Sequence, residues 1–348
     1  MKIIAIIGAR PQFIKHYPFE KEAIKHFDLV TIHTGQHYDE NMSNVFFDQL
    51  GMRKPNYLLS LGGGSHGAQT GNMMIAIEEI VQKEKPDAMV VYGDTNSTLA
   101  GALVASKLHI PIVHIEAGLR SYNQEMPEEI NRVLTDHISS LLLVPSQKSV
   151  DNLALEGISN GVHIVGDIMK DLVMMCVRNK VIGANPIDGE YYYATLHRPY
   201  NVDEAERLTY VLQSLNKLDK KVVFAAHPRT QNRIKEFGLE DLTKGNIEII
   251  DPQPYFQNIT YLHHSQGLIT DSGGMQKEAY WLERPCCTVR SETEWVETLK
   301  NHSNMLVFDD LKDMDLFPPE NISFDEELYG TGDSSKLICD HICQLLIK

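Results

Sequence analysis

Residues 87–118 read DAMVVYGDTNSTLAGALVASKLHIPIVHIEAG, and this stretch decides the fold class. The short apolar runs DAMVVYGD and PIVHIEAG flank a segment, Thr95 to Leu108, with helical periodicity. A strand, a crossover helix and a second strand form a right-handed unit whose two strands lie parallel. We therefore predict an α/β fold, in which a parallel sheet carries helices on both faces.

The same alternation continues along the rest of the chain. The first half also contains the runs KIIAIIG, DLVTIHTG, SLLLVPS and VHIVGD, and the second half contains YYYATLH, KVVFAAH, IEIID, GLIT, PCCTV and NMLVF. A cluster of Gly, Asn, Pro and Asp at 183–189 separates the two series and predicts a linker. We predict two Rossmann-like doubly wound domains, residues 1–168 and 185–330. The helix expected at 335–348 could pack on either domain, and we group it with the first.

Composition narrows the function classes. The 348 residues exceed what one core usually organises, and 43% hydrophobic and 23% charged residues are typical of a globular protein. A net charge of −15 argues against nucleic acid or an anionic membrane as a partner. The apolar start, Met1 to Gly8, is too short to span a membrane, so we expect a cytoplasmic protein. Its five cysteines lack metal-ligand spacing, and we expect reduced thiols.

The residues that follow the predicted strands are unusually polar. In open parallel sheets, ligands bind beyond the carboxyl ends of the strands, so these residues are candidates for a site. If the two domains face each other across a central cleft, the strand ends converge there. The segments are Gly8-Ala9-Arg10-Pro11, Gly35-Gln36-His37, Gly93-Asp94-Thr95 and Glu116-Ala117-Gly118 in the first domain, and His197-Arg198, His227-Pro228-Arg229 and Asp271-Ser272-Gly273-Gly274 in the second.

Four of these residues allow both a structural and a chemical interpretation. Asp94 could simply be the N-cap of the helix that follows it. Glu116 lies within the apolar run IVHIEAG, where an unpaired buried carboxylate is costly, so we predict a functional role for it. His197 and His227 could each be structural, but their equivalent positions after two strands favour a shared site.

The segment 118–132, GLRSYNQEMPEEINR, is a polar loop that leads into a helix starting near Pro127. Glu128 and Glu129 both lie in the first turn of that helix, where acidic residues are favoured for structural reasons alone. Local sequence does not decide which of the two is catalytic.

Two segments suit a bound anion. The segment 271–274, DSGG, follows a strand and opens a helix, so its backbone N–H groups and the helix dipole favour a phosphate. Glu278 lies one turn further on and is spaced to reach a ribose hydroxyl. Arg10 and Lys15 bracket the start of the first helix, where the dipole disfavours cations, which indicates a nearby anion.

Taken together, seven motifs resemble the non-hydrolysing UDP-N-acetylglucosamine 2-epimerases over nearly the whole chain. Their joint order and spacing carry the resemblance, whereas each motif alone is weak. GARPQFIK, TGQHYDENM and ETEWVE also resemble the branch acting on UDP-2,3-diacetamido-2,3-dideoxyglucuronic acid. The seven motifs are GARPQFIK at 8–15, GDT at 93–95, HIEAGLR at 114–120, PEEINR at 127–132, HR at 197–198, DSGG at 271–274 and YGTG at 329–332.

The resemblance implies a GT-B-type fold, as in UDP-glycosyltransferases and glycogen phosphorylase, and a homodimer. It implies that Asp94, Glu116, Glu128 and His197 surround the sugar, and it favours Glu128 over Glu129. The residues expected to bind the substrate, chiefly its UDP portion, are Arg10, Lys15, Arg132, His227, Ser272, Gly273, Gly274 and Glu278.

The chemistry of such a reaction explains the need for these groups. The C2 proton of a sugar becomes acidic only when the bond from C1 to UDP loosens, so epimerisation proceeds by elimination to a glycal and re-addition of UDP. Donors must stabilise the departing diphosphate, and acids must remove and return the proton. Neither a metal nor a nicotinamide cofactor is expected, since GARP lacks the dinucleotide spacing GxGxxG.

We expect the product to feed the synthesis of a surface polysaccharide precursor. A glycosyltransferase of the same architecture, a hydrolysing epimerase and an inert UDP-sugar-binding regulator remain alternatives.

Overall fold

The computed structural model describes residues 1–36 and 51–347, with the exception of the Arg10 side chain. His37, together with the rest of TGQHYDENM after Gln36, lies outside the described residues. The chain divides into two compact units, unit 1 (Met1–Met174 with Glu327–Lys348) and unit 2 (Met175–Glu326).

Unit 1 contains a parallel sheet of the order β3-β2-β1-β4-β5-β6-β7. The runs predicted from sequence form all of its strands except β3, because β-branched residues favour the buried strands of a parallel sheet. Its strands are β1 (Lys2–Ile7), β2 (Asp28–His33), β3 (Tyr57–Leu58), β4 (Ala88–Tyr92), β5 (Ile112–Ile115), β6 (Leu141–Val144) and β7 (Val162–Ile164).

The helices of unit 1 cover this sheet. Two begin at hydroxyl N-caps, because the Ser65 and Thr95 side chains accept backbone N–H groups three residues on. The helices are α1 (Arg10–Ala23), α2 (His66–Glu84), α3 (Asn96–Lys107), α4 (Pro127–Ile138), α5 (Gln147–Leu155), α6 (Ile168–Arg178), which continues into unit 2, and α12 (Ser334–Ile347), which packs against α1.

One hydrophobic cluster of unit 1 lies between the sheet and helices α2 and α3. Ile4, Ile6 and Val91 from β1 and β4 are fully buried against Ile77 of α2 and Ala100 of α3. This packing holds β1 and β4 side by side, so the residues that follow these two strands lie together at the same edge of the sheet.

Unit 2 repeats the plan with a parallel sheet of the order β10-β9-β8-β11-β12-β13. Its strands are β8 (Tyr191–Thr195), β9 (Lys221–Ala225), β10 (Ile247–Ile250), β11 (Leu268–Thr270), β12 (Cys286–Thr288) and β13 (Asn304–Leu306). Its helices are α7 (Pro199–Val202), α8 (Ala205–Lys217), α9 (Pro228–Glu236), α10 (Tyr255–His264) and α11 (Gly273–Trp281), with short 3₁₀ segments at Glu240–Thr243, Val296–His302 and Leu311–Leu316.

Each sheet reverses its strand order once, between β1 and β4 in unit 1 and between β8 and β11 in unit 2. Ligands of doubly wound sheets bind at such switch points. The two doubly wound α/β sheets confirm the predicted fold class. Within the described ranges, no helix is both long and apolar enough to cross a membrane.

Candidate functional site

Glu116 directly follows β5 and adopts a left-handed backbone conformation, with φ of 67°. This conformation is uncommon for a residue with a side chain, and such strain is often kept where function needs it. The Glu116 carboxylate forms an ion pair with the Nζ atom of Lys15, and both side chains are buried. Burial alone lowers the pKa of Lys15, but the charges of Glu116 and Asp94 outweigh it and raise that pKa above its ordinary value.

Asp94 follows β4, the strand next to β5. Its carboxylate pairs with the guanidinium of Arg132, and its backbone carbonyl accepts a hydrogen bond from Asn131 Nδ2 at 2.9 Å. The N-cap of α3 is Thr95, not Asp94, so helix capping does not account for this acid. The carboxylate is partly exposed, at 29%, and could contact a ligand.

Gly93 packs closely against these charges. A Cβ atom at this position would lie 3.2 Å from Lys15 Nζ and 3.3 Å from Glu116 Oε2. Because Gly93 also has a φ of 59°, a residue without a side chain fits here on two independent grounds. The glycine lets the Lys15–Glu116 pair and Asp94 share one edge of the sheet.

The structure separates the two acids of the first turn of α4. Glu129 is buried, and its carboxylate accepts from the N–H groups of Ser121 and Tyr122 and from Arg132. Burial alone raises the pKa of Glu129, but these donors lower it below its ordinary value. Glu128 is exposed, and no hydrogen bond of its carboxylate is found among the described residues. Glu129 therefore holds the loop, and Glu128 is available to a ligand.

In unit 2, His197 lies just beyond β8 and pairs with Asp271, which follows β11. Nδ1 of the His197 ring lies 3.1 Å from Oδ1 of the Asp271 carboxylate. Asp271 is completely buried and also accepts from the backbone N–H groups of His197 and Arg198 and from Asn201. The Asp271 carboxylate therefore orients the His197 ring through Nδ1, and Nε2 is not involved in this contact.

The N-terminus of α11 is built from Ser272, Gly273 and Gly274. The first amides of a helix have no partner within that helix and attract anions. A Cβ atom on Gly273 would lie 3.5 Å from Trp295 Nε1 and 3.7 Å from Arg290 Nη1, so two more donors flank this helix end. Arg290 also pairs with Glu294 through two contacts of 3.1 Å.

Three further residues belong to the set predicted from sequence. His227 is the exposed N-cap of α9, and its Nδ1 atom accepts from the Arg229 N–H at 3.2 Å. Glu278 is buried in the second turn of α11. Arg10 begins α1, and its side chain is not described.

The structure therefore groups the predicted residues by unit. Lys15, Asp94, Glu116 and Arg132 gather in unit 1, so Lys15 lies beside the acids, while His197 and the α11 N-terminus belong to the switch point of unit 2. Sequence reasoning missed the roles of Asp271, Arg290, Trp295 and Glu129. Of these four residues, only Asp271 had a sequence feature that indicated its role, namely its position directly after a buried strand.

Comparison with known proteins decides the family. The family model described as UDP-N-acetylglucosamine 2-epimerase matches residues 20–343 of the chain. The chain belongs to the UDP-N-acetylglucosamine 2-epimerase family. Its relatives in this family are epimerases, a class of isomerase.

Two relatives of the epimerase family show the range of named substrates. The chain is 46% identical over 360 residues to the UDP-2,3-diacetamido-2,3-dideoxy-D-glucuronate 2-epimerase of Pseudomonas aeruginosa, covering 99% of this chain and 100% of the relative. It is 45% identical over 329 residues to the UDP-N-acetylglucosamine 2-epimerase of Methanocaldococcus jannaschii, covering 89% of each.

Solved structures of the epimerase family share the fold. The structure of the Methanocaldococcus jannaschii UDP-GlcNAc 2-epimerase in complex with UDP-GlcNAc and UDP superposes with a TM-score of 0.88 at 40% identity, covering 99% of this chain and 100% of that one. The Neisseria meningitidis enzyme bound to UDP-GlcNAc superposes with a TM-score of 0.86 at 28% identity, covering 99% and 100%.

Proposed function

We propose that this protein is a non-hydrolysing 2-epimerase of a UDP-N-acetylhexosamine, which inverts C2 by eliminating UDP and adding it back. The observation that carries the proposal is the pair of charge-paired acids, Asp94 and Glu116, at the ends of the adjacent strands β4 and β5. Adjacent strands lie about 4.8 Å apart, so both carboxylates can reach one hexose ring.

The elimination needs a base at C2 and stabilisation of the leaving group. A carboxylate takes the C2 proton, the electron pair of that C–H bond forms the C1–C2 double bond, and UDP leaves with the pair of the C1–O bond. We assign proton transfer on one face to Asp94 and Glu116, and on the other to Glu128. The cations Lys15 and Arg132 pair with Glu116 and Asp94 and hold the two carboxylates in place.

The return step reverses this flow of electrons. UDP adds to C1 through its terminal phosphate oxygen, and an acid delivers a proton to the opposite face of C2. The glycal and UDP contain together all the atoms of the substrate, so nothing is consumed and the two sugar nucleotides interconvert. The proposal therefore includes no metal or nicotinamide cofactor, and UDP is a bound intermediate.

We assign the UDP portion to the donors of unit 2 and to Arg10. The amides of Ser272, Gly273 and Gly274 would stabilise the charge that develops on the diphosphate, a contribution that is often the largest in such reactions. His227 would assist them, Glu278 would accept from the ribose, and His197, oriented by Asp271, would hold the sugar. Arg290 joins this group because it flanks Gly273.

The sugar itself is either N-acetylglucosamine or the 2,3-diacetamido-dideoxyglucuronate analogue, because relatives named for the two substrates are 45% and 46% identical to the chain. By family resemblance we also propose a cytoplasmic homodimer that supplies a precursor of a surface polysaccharide. Light scattering coupled to size-exclusion chromatography would measure the mass of the assembly.

Solvent exchange tests the proposed function. The purified protein is incubated in D₂O with UDP-N-acetylglucosamine and, separately, with the diacetamido-glucuronate nucleotide, and C2 is followed by proton NMR. We expect deuterium at C2 and a manno-configured product from at least one of them. Exchange with only the second would place the protein in the specialised branch, and exchange with neither would overturn the proposal.

A further inference from the structure

His114 lies inside β5, two residues before Glu116, and is completely buried. Its Nδ1 atom is 2.7 Å from Asp136 Oδ1, and its Nε2 atom is 2.8 Å from the carbonyl oxygen of Gly93. A carbonyl oxygen only accepts hydrogen bonds, and so does an ionised carboxylate. Both ring nitrogens must then donate, which only the doubly protonated imidazolium can do.

The surroundings of Asp136 show that its carboxylate is ionised. Asp136 is 1% exposed and accepts from the Gly118 N–H at 3.1 Å and from Arg120 Nη1 at 2.7 Å. Burial alone raises the pKa of Asp136, but His114 and Arg120 outweigh it and lower that pKa below its ordinary value. Removing the Asp136 charge would leave His114 as a buried cation without its partner, which is unfavourable.

His33 provides an internal contrast, since it is equally buried and ends β2 of the same sheet. Its Nδ1 atom accepts a hydrogen bond from the Gly35 N–H at 2.8 Å, so this nitrogen carries no proton. Burial lowers the pKa of His33 to about 4. The fold therefore holds one buried histidine neutral and surrounds the other with acceptors.

We propose that His114 is a positioning residue for the epimerisation, held as an imidazolium by Asp136, and that it fixes the Gly93–Asp94 turn by donating to the Gly93 carbonyl. The inference rests on the proposed function, in which Asp94 acts on the sugar. Gly93 also lies against the Lys15–Glu116 pair, so a shift of its peptide would displace both acids. In this role His114 acts through the Gly93 carbonyl and does not contact the substrate.

Nitrogen NMR tests the charge state independently of any activity. The protein is labelled with ¹⁵N-histidine near neutral pH, and the His114→Gln variant assigns the signals of this ring. We expect both His114 nitrogens to have the shifts of protonated nitrogens, while His33 shows one unprotonated nitrogen. An unprotonated nitrogen on His114 would overturn the inference, whether or not the protein is an epimerase.

Kinetics of C2 exchange test the positioning role. Asp136→Asn should lower kcat about 10- to 100-fold, as expected for a lost charged hydrogen bond, with KM changed less than about 2-fold. The matched control is Glu156→Gln, which removes the outer carboxylate on Arg120 and leaves Asp136 in place. We expect this control to keep kcat within about 3-fold.

Equal losses of kcat in Asp136→Asn and Glu156→Gln would contradict the positioning role, because general loosening of the network would explain both. If Asp136→Asn does not fold, the His114 nitrogen shifts of the unaltered protein decide. Absence of exchange in the unaltered protein would instead overturn the proposed function, and the positioning role with it.

Discussion

Units 1 and 2 share a doubly wound plan but equip their switch points differently. Beyond β4 and β5, unit 1 holds largely buried pairs of opposite charge, Lys15 with Glu116 and Arg132 with Asp94. Beyond β8 and β11, unit 2 holds backbone amides at a helix end and an exposed histidine. Proton transfer needs ionisable groups that are held in place, whereas binding a diphosphate needs many hydrogen-bond donors. In the proposed function, the same fold therefore carries out a different chemical task in each unit.

The largest expected effect comes from removing an acid of unit 1. Glu116→Gln removes a proposed base and leaves Lys15 as a buried cation without its carboxylate, so kcat for C2 exchange should fall about 10²- to 10⁴-fold. Proton NMR in D₂O measures the rate. Glu125→Gln, an exposed acid of the nearby loop, is the control and should retain activity. Full turnover by Glu116→Gln would contradict the assignment of proton transfer to the acids of unit 1.

Gly93→Ala tests whether the reaction depends on the exact positions of the charged groups in unit 1. The new Cβ atom would press on Lys15 Nζ and Glu116 Oε2, and small displacements of reacting groups reduce rates strongly, so we expect kcat to fall about 10- to 100-fold. The positive φ should also lower the free energy of unfolding by about 1–2 kcal/mol. Exchange rates and denaturant unfolding measure the two effects.

Gly157→Ala is the matched control for this substitution, because Gly157 has a φ of 79° and no atom within 4 Å of the position that the new methyl group would take. It should lose similar stability and keep its exchange rate. Equal loss of activity in both variants would show that strain alone, and not contact with the acids, limits the reaction.

Asp271→Asn tests whether the orientation of His197 in unit 2 matters for the reaction. The amide keeps one acceptor but loses the charge beside His197 Nδ1, so kcat should fall about 10-fold. Exchange kinetics measure this effect against Asp251→Asn, which alters an exposed acid of the same unit. Unchanged kinetics would show that the orientation of His197 does not matter.

At the anion site we expect an effect of similar size to that of Asp271→Asn, but on UDP affinity instead of on the rate. In Gly273→Ala the added methyl group makes only ordinary contacts with Trp295 and Arg290, so folding should be unaffected. The methyl group lies where a phosphate would approach the amides, and UDP should bind about 10-fold more weakly, or about 1.4 kcal/mol, by calorimetry. Gly183→Ala, near Thr260, is the control. Unchanged UDP affinity would move the anion site elsewhere.

The fold was largely predictable because most predicted runs, such as KIIAIIG, form buried strands and are rich in β-branched residues. The edge strand Tyr57–Leu58 was missed, since two residues carry no periodicity. Sequence also left open whether the last helix packs on the first or second domain. In the structure it packs against α1, a contact between residues more than 300 positions apart.

The sequence predicted the members of the candidate site but not the side chains that pair with them in the structure. DSGG and HIEAG predicted ligand-binding groups because they follow strands, and this position can be read locally. The division between Glu128 and Glu129 depends on the loop at Ser121 and Tyr122, which returns to the start of α4. The environment of His114 likewise depends on Asp136, which lies on another element.

Cleavage of the C1–O bond is the central claim, and an isotope experiment tests it most directly. A substrate carrying ¹⁸O in the bridge between C1 and the diphosphate is incubated with the protein, and phosphorus NMR follows the label. If UDP departs and returns, the label moves into the non-bridging oxygens of the β-phosphate, as we predict. Deuterium incorporation at C2 with the label retained in the bridge would contradict the elimination mechanism.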